Sequence, residues 1–539
     1  MTTPAAPALP AAATGTVLFT LASGQFLMAL DSSVMNVSIA TVATDLGTTV
    51  TGIQTAITLY TLVMASLMIT GGKIGQILGR KRAFALGCLI YGTGSLTTAL
   101  SPNLAVLLIG WSLLEGIGAA LIMPAIVALV ASNFGPSERP RAYGLVAAAA
   151  AIAVAVGPLL GGLATTYASW RWVFVGEVVI VLGILLLARR MADAPPEPGV
   201  QLDLVGTGLS ASGLGLVVYG VLRAGSWGVV NPKPGAPSLL GLSLVVWLIL
   251  AGGLVLLGFL SWERRRQSAG RAALIDPAML ENKRLRGGLT SFFFQYLLQA
   301  GLFFAVPLFL SVSLGLSAID TGLRILPLSI ALLLAAVGVP RFFPDASPRR
   351  VVRLGFGSLF VGIVILAAAL EIGIGAEVVT LPMLLAGLGV GALASQLGAV
   401  TVSAVPDEES AEVGGVQNTV MFLGASIGTA LAGAVLISSL TASFFEGIEA
   451  NPDIPQNLTS QAEVKLAGGV PFIADDQLES ALEDAGVTGK TADAVVEENE
   501  AARLAGLRAS LAALALIALV ALFLSGGIPT RQSGVPREP

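Results

Sequence analysis

Three acidic residues fall inside apolar stretches of this sequence: Asp31, Glu115 and Glu177. A charged carboxylate at bilayer depth costs about 2.5–3.5 kcal/mol on insertion scales for Asp, so an acid kept there usually marks a function. The chain has no histidine, which leaves carboxyls as the groups that can take up and release a proton, their charged form being disfavoured by burial. The chemistry open to this set is proton carriage. Asp31, with Glu115 or Glu177, is expected to be protonated from outside and to discharge inside, from a wet passage between helices. Asp31 could instead be a hydrogen-bonded partner of Ser33 or of a neighbouring span, and Glu177 suits a structural role as well as a functional one.

The elements that must position these acids are membrane spans. Fourteen apolar stretches run from about Gly15 to Leu524, most of them twenty or more residues long. A helix needs roughly 20 apolar residues to cross the hydrocarbon core, where it satisfies its own backbone polar groups. The spans are read near 16–42, 52–75, 83–101, 104–131, 141–165, 171–188, 204–222, 238–261, 288–313, 320–339, 352–371, 377–402, 411–439 and 504–525. Composition agrees: 55% hydrophobic, 12% charged, mean hydropathy +0.85. The fold class is thus an all-α membrane protein with fourteen transmembrane helices. The start of the chain lacks a cleavable signal pattern, and the first span is expected to serve as its own targeting signal. Cys88 is the one cysteine, so no internal disulfide forms.

Basic residues set the orientation, because short cytoplasmic loops are enriched in Lys and Arg. Arg80, Lys81 and Arg82 follow span 2, Arg139 precedes span 5, and Arg189 and Arg190 follow span 6. A further set from Arg264 to Arg286 lies between spans 8 and 9; Arg341, Arg349 and Arg350 lie between spans 10 and 11, and Arg531 and Arg537 in the tail. All these segments share one parity, which puts both termini in the cytoplasm, as an even span count also requires. Residues 441–503 carry 13 acidic residues against Lys465, Lys490 and Arg503. By parity this stretch is external; it reads as a solvated surface loop, or as a collector of cations at the outer mouth. Within it, 475–485 before Gly486 reads as a short helix, and Thr491 onward as a helix feeding span 14.

Span 9 places Phe292, Gln295, Tyr296, Gln299 and Phe303 at helical spacing. Aromatics with two amides suit a cavity wall for lipophilic molecules, which Tyr60 of span 2 and Gln417 and Asn418 of span 13 could join, with Gln396 of span 12 a weaker candidate. A lipid-facing aromatic stripe with inward glutamines is the alternative. No phosphate-binding loop, metal-ligand cluster or Ser/His arrangement is present, so no catalytic residue, metal or enzyme activity is expected. Nucleic-acid binding is not expected either, since topology explains the cytoplasmic bases.

Residues 72–82 read GKIGQILGRKR, which resembles the signature loop of the major facilitator superfamily, GxxxDRxGRK. Residues 30–37, LDSSVMNV, are similar to the span 1 element of its fourteen-span drug:proton antiporters. GPLLGG at 157–162, with Gly144 upstream, looks like the antiporter signature of its exporters, and WRWVF at 170–174 also fits. The later half matches more loosely, through GLRILP at 322–327 and Gln417-Asn418-Thr419. The resemblance departs at three places. The signature aspartate is Gln76, the usual span 4 arginine is Ser112 with Glu115 in place of a glutamine, and Glu177 stands where asparagine is common. The proton relay of the family is therefore not carried over unaltered.

The resemblance implies two six-helix halves with two extra central helices. The divisions are a cytoplasmic tail 1–15, an N-terminal half 16–190, a linker with the extra pair 191–287, a C-terminal half 288–525 including the acidic loop, and a tail 526–539. The substrate would sit near the midplane between the halves and be exposed to each side in turn. Gating would fall to Gly72, Gln76, Gly79, Arg80 and Lys81 of the signature loop and to Gly157, Pro158, Gly161 and Gly162 of span 5. These glycines admit close helix approach, and the proline kinks its helix. The function implied is a proton-coupled exporter of small lipophilic or cationic compounds in the cell membrane. It would work as a monomer, with protons, substrate and lipid as partners and no cofactor beyond the proton gradient. The alternative is a substrate-specific symporter or facilitator for a nutrient, metabolite or lipid.

Overall fold

The computed structural model describes residues 11–134, 138–193, 196, 201–233, 235–271, 273–343, 345–405, 410–466 and 470–530. The first ten residues and the tail bases Arg531 and Arg537 lie outside them. The described residues form long helices and one two-residue hairpin. In the first half, α1 is Ala11–Asp45, α2 Val50–Leu78 and α3 Arg80–Ala99; α4 (Leu104–Leu107) runs through a π-helical stretch, Leu108–Glu115, into α5 (Gly116–Asn133); α6 is Arg139–Tyr167 and α7 Arg171–Ala188. Next come α8 (Leu204–Trp227) and α9 (Leu244–Ser268), joined by a loop with the antiparallel strands β1 (Ser238–Leu239) and β2 (Leu242–Ser243). The second half contains α10 (Lys283–Leu308), α11 (Ala318–Phe342), α12 (Pro348–Ala369), α13 (Thr380–Val402) and α14 (Ser410–Ala450), then the short α15 (Gln456–Lys465) and α16 (Asp475–Asp484), and finally α17 (Lys490–Leu524).

Among the described residues, twelve helices are long and apolar enough to cross a membrane, and the bent α6 makes thirteen. The remaining expected span is α3. Its bases, glycines and hydroxyls depress its hydropathy, yet its 20 residues reach about 30 Å at 1.5 Å per residue, the thickness of the hydrocarbon core. Polar content on α3 is tolerated because Gly87, Cys88, Tyr91, Gly94 and Ser95 are buried against neighbours rather than lipid. The chain is a multi-pass membrane protein. The side on which α1 begins and α17 ends is the terminal face, and the opposite side the distal face.

Two helix groups result. In one, α1 packs on α6 and α7, α2 on α5, and α3 on α5 and α7; in the other, α14 packs on α10 and α17, α13 on α11 and α12, and α12 on α17. The groups meet where α2 crosses α14 and where α6 crosses α11, and the α8–α9 pair sits against α14 and α2.

The acid-rich segment corrects its sequence reading. Its short helix is present as α16, but the segment is anchored rather than a solvated loop: Arg503 on α17 is wholly buried and donates to both Asp475 oxygens (2.6 and 2.8 Å) and to the Ile473 carbonyl (2.7 Å). That charge pins α16 to α17. Span 13 runs on to Ala450, beyond the expected 439, while the last helix begins at Lys490, beside the expected start at Thr491, so both helices extend past their spans on the distal side. Between their distal ends lies an open surface depression lined by Glu446, Asn451, Asp453 and Glu498.

Candidate functional site

The three intramembrane acids converge. One carboxylate oxygen from each of Asp31, Glu115 and Glu177 lies within 4.8 Å of the other two, and all three residues are at most 1% exposed. Local sequence explains how three helices bring them together. Gly94 of α3 and Gly110 of the π-helical stretch let those two backbones touch: a Cβ on Gly94 would lie 2.6 Å from Glu115 Cγ and 2.7 Å from the Gly110 carbonyl. The π-helical turn ends at Glu115, and such bulges re-aim the side chains they carry. Glu177 sits six residues from the distal end of α7, about 9 Å in at helical rise. The cluster therefore lies on the distal side of the bundle centre.

Each carboxyl has its own donors. The Trp111 indole N–H donates to Asp31 (2.8 and 3.1 Å to the two oxygens); Thr98 donates to Glu115 (3.1 Å); Ser95 and Tyr91 donate to the same oxygen of Glu177 (3.0 and 3.3 Å). Glu115 Oε2 and Glu177 Oε1 have no partner. Among the described residues no Lys or Arg pairs with any of the three. Ser112, at the usual arginine position, donates instead to the Ala56 carbonyl of α2 (2.8 Å). Such a nest of oxygens suits shared protons, or a cation held by oxygen ligands.

Sequence reading missed Trp111, Tyr91, Ser95 and Thr98. Trp111 lies four residues before Glu115, on the same face of its helix, which was the available signal. Two expectations change. The acids do not line a wet passage between halves in this conformation; they are enclosed within the first group of helices, because close glycine contacts draw α3 onto the π-helical stretch. Asp31 is not tied to Ser33, whose hydroxyl has no partner; its partner is on a neighbouring span.

Tyr60 belongs with the acids rather than with the span 9 wall. Its ring stacks on Trp111 (centroids 5.1 Å apart, planes 10° apart), and its buried hydroxyl makes no hydrogen bond of normal geometry. On α10, Phe292 and Gln295 are buried, whereas Tyr296, Gln299 and Phe303 are half-buried. Gln295 Oε1 has no partner. Gln417 of α14 accepts from Thr401 of α13 (2.5 Å), a helix–helix contact that occupies its carbonyl, while Asn418 is half-buried and Gln396 buried.

The gating candidates form two sets. On the distal side, α6 is clasped between α1 and α11. A Cβ on Gly161 would meet Val34 at 2.9 Å, one on Gly157 would meet Ser33, and one on Gly162 would lie 2.6 Å from the Ala318 carbonyl. Gly322 seats against the Pro158 carbonyl. Pro158 has no N–H for the Val154 carbonyl four residues back, and Ser329 of α11 donates to that carbonyl instead (3.3 Å). The helix bends by 42° there, between Val154 and Val156. On the terminal side, Gly79 makes the α2–α3 turn with φ 97°, a conformation that favours glycine. Arg80 donates to the Gly72 carbonyl (3.1 Å), and Lys81 to the Arg189 and Met191 carbonyls beyond α7 (3.0 and 2.8 Å). Gln76 Oε1 is buried without a partner, at the position where the signature has an acid.

Two six-helix groups with a polar cluster inside one of them and glycine-lined crossings between them define a membrane transporter fold. Residues 21–429 match the Major Facilitator Superfamily. The chain is 33% identical over 438 residues to the puromycin resistance protein pur8 of Streptomyces alboniger, covering 78% of this chain and 81% of that one. It is 27% identical over 466 residues to the multidrug efflux pump LfrA of Mycolicibacterium smegmatis, covering 85% and 87%. Among solved structures, the fold is similar to a bacterial homolog of the human lysosomal transporter Spinster in an inward-facing, unoccupied conformation (TM-score 0.62, 14% identity, 98% of this chain and 100% of that one). A D-xylose–proton symporter gives a TM-score of 0.56 at 12% identity, covering 97% of this chain and 99% of that one. The chain belongs to the major facilitator superfamily.

Proposed function

We propose that this protein exports small lipophilic or cationic compounds by alternating access, and that Asp31, Glu115 and Glu177 carry the coupling protons. The relatives named for antibiotic resistance and multidrug efflux support the direction and the substrate class. The terminal face is the cytoplasmic one, since the bases after α2, α7 and α9 gather there. The chain works as a monomer in the cell membrane, and transport involves no catalytic step and no cofactor.

The observation that carries the reading is the meeting of three carboxyls from three helices, with no basic partner among the described residues, on the distal side. Protons arriving from outside reach the distal side first. Asp31 lies one turn from Ser33 and Val34, the residues on which Gly157 and Gly161 rest, and the same stretch of α6 seats on α11 through Pro158 and Gly162. Protonation of Asp31 removes a charge from α1 beside this clasp, which biases whether α6 and α11 stay together.

The test is drug accumulation in inside-out vesicles. One proton moving through about 100 mV supplies about 2.3 kcal/mol, roughly a forty-fold gradient. Asp31→Asn should reduce proton-driven accumulation to about unity, since no gradient is then harnessed, while downhill exchange continues. Full proton-driven accumulation in that variant removes Asp31 from the mechanism.

A further inference from the structure

We propose that lipophilic substrate passes between the bilayer and the centre of this transporter on one side only, at the α6–α11 crossing, because the α8–α9 pair closes the other crossing to lipid. The proposal rests on the exporter reading above and adds the route to it.

The two crossings between the halves are built differently. At the α2–α14 crossing, Gln54 donates to the Thr429 and Ala430 carbonyls (3.0 and 3.1 Å) and Ser426 to the Thr58 carbonyl (2.8 Å). A further layer covers it. At mid-height Leu62 of α2, Leu214 and Val218 of α8 and Leu423 of α14 form one apolar cluster. Toward the terminal face Ile69 of α2, Leu209 of α8, Phe259 of α9 and Val413 of α14 form a second. The hydroxyls of Thr70 and Thr207 hydrogen-bond at 3.1 Å, and Gly225 of α8 seats directly on Ala434 of α14 near the distal face. So α8 is fastened to both halves from one face of the membrane to the other. In hydrocarbon no hydrophobic force holds helices together; close packing and hydrogen bonds do, and opening this crossing to lipid would forfeit both clusters and the threonine pair.

At the α6–α11 crossing, the close contacts are glycine-on-backbone seats at Gly162 and Gly322 and two bonds through hydroxyls, Ser329 donating to the Val154 carbonyl and Thr166 accepting from the Ile319 N–H near the distal end. All lie between mid-height and the distal face. The bend of α6 falls at the Ser329–Val154 bond, so its terminal-side half takes a different direction from the half clasped to α11. On either side the helices present exposed apolar side chains, Ile152 and Leu160 on α6 and Ile330 and Leu334 on α11. A lipophile already dissolved among lipid chains can reach the centre there without returning to water, where each exposed CH2 costs about 0.8 kcal/mol.

The test uses the full chain in nanodiscs with a diazirine-bearing lipophilic cation, its adducts mapped by mass spectrometry with and without excess non-reactive parent compound. Adducts suppressed by the parent should fall on residues 145–160 and 322–337. Suppressed adducts on α8, α9 or the α2–α14 crossing overturn the proposal, and so does a map with no suppressed adduct. As a second measurement, Val154→Trp should raise the apparent KM for a membrane-partitioned dye about fivefold, roughly 1 kcal/mol, while a water-soluble substrate is unaffected. Leu254→Trp, on the exposed face of α9, should change neither; equal effects of Val154→Trp on both substrates also overturn it. Export is scored separately by dye movement in vesicles, so its absence would sink the exporter reading and leave the adduct map to decide the route.

Discussion

Asp31, Glu115 and Glu177 constrain one another more than any surrounding residue constrains them. At an effective dielectric of about 20, two charges within 4.8 Å of each other repel by about 3 kcal/mol or more. No ion pair among the described residues offsets that, so the cluster titrates as a unit and its protons belong to the set. Removing one member should then alter how many protons move, not merely how well they are held. Glu177→Gln is expected to keep export but lower the proton-to-substrate ratio, read as a shift in the membrane potential at which net flux reverses. An unchanged reversal potential would make Glu177 a packing residue. The candidacy of the three acids was legible in the sequence because charged groups are rare at bilayer depth. Their meeting was not, because it depends on Gly94 and Gly110 lying face to face from two different helices.

At the scale of elements, the span 5 signature takes on physical content. Gly157 and Gly161 face α1, Gly162 faces α11, and Pro158 both bends α6 and frees a carbonyl that the opposite half then satisfies. Ser329→Ala would leave the Val154 carbonyl unpaired at a cost of about 1–3 kcal/mol, borne only while α6 and α11 are together. That variant should favour the distal-open state, seen as faster labelling of a cysteine at Ala318, buried at the distal start of α11, by a membrane-impermeant thiol reagent added from outside, against the same cysteine without the Ser329 change. Equal labelling rates would mean that the hydroxyl does not hold the crossing. The sequence carried the glycines and the proline, but Ser329 reads there as an ordinary polar residue among apolar ones. Tyr60 and Gln417 illustrate the same limit. Residue type placed both in a cavity wall, whereas the turn of each helix gave Tyr60 to Trp111 and Gln417 to Thr401.

Across the whole molecule, the distal segment ties the two halves where they must part. Arg503 holds α16 against α17 in the second half, and from α16 the Gln477 amide donates to the Thr44 hydroxyl at the distal end of α1, in the first half (3.2 Å). Beside it, Asp45 is paired with Arg171 and accepts from the Trp170 indole (3.0 Å), while Arg171 also donates to the Ser101 carbonyl (2.8 Å). The WRWVF element thus braces the distal rim of the first half, and the segment between α14 and α17 bridges that rim to the second. Asp475→Ala would strand the Arg503 guanidinium, fully buried with one nitrogen already unpartnered. Breaking a buried pair from one side costs about 3–5 kcal/mol, reduced here because Asp475 is itself partly exposed. The thermal unfolding temperature in detergent should fall, and Asp475→Glu should recover part of the loss. Gln477→Ala removes only the bridge to α1, so it should leave the unfolding temperature unchanged and raise turnover, because distal opening no longer breaks that bond. A Gln477 variant with unaltered turnover would confine this segment to stabilising the second half.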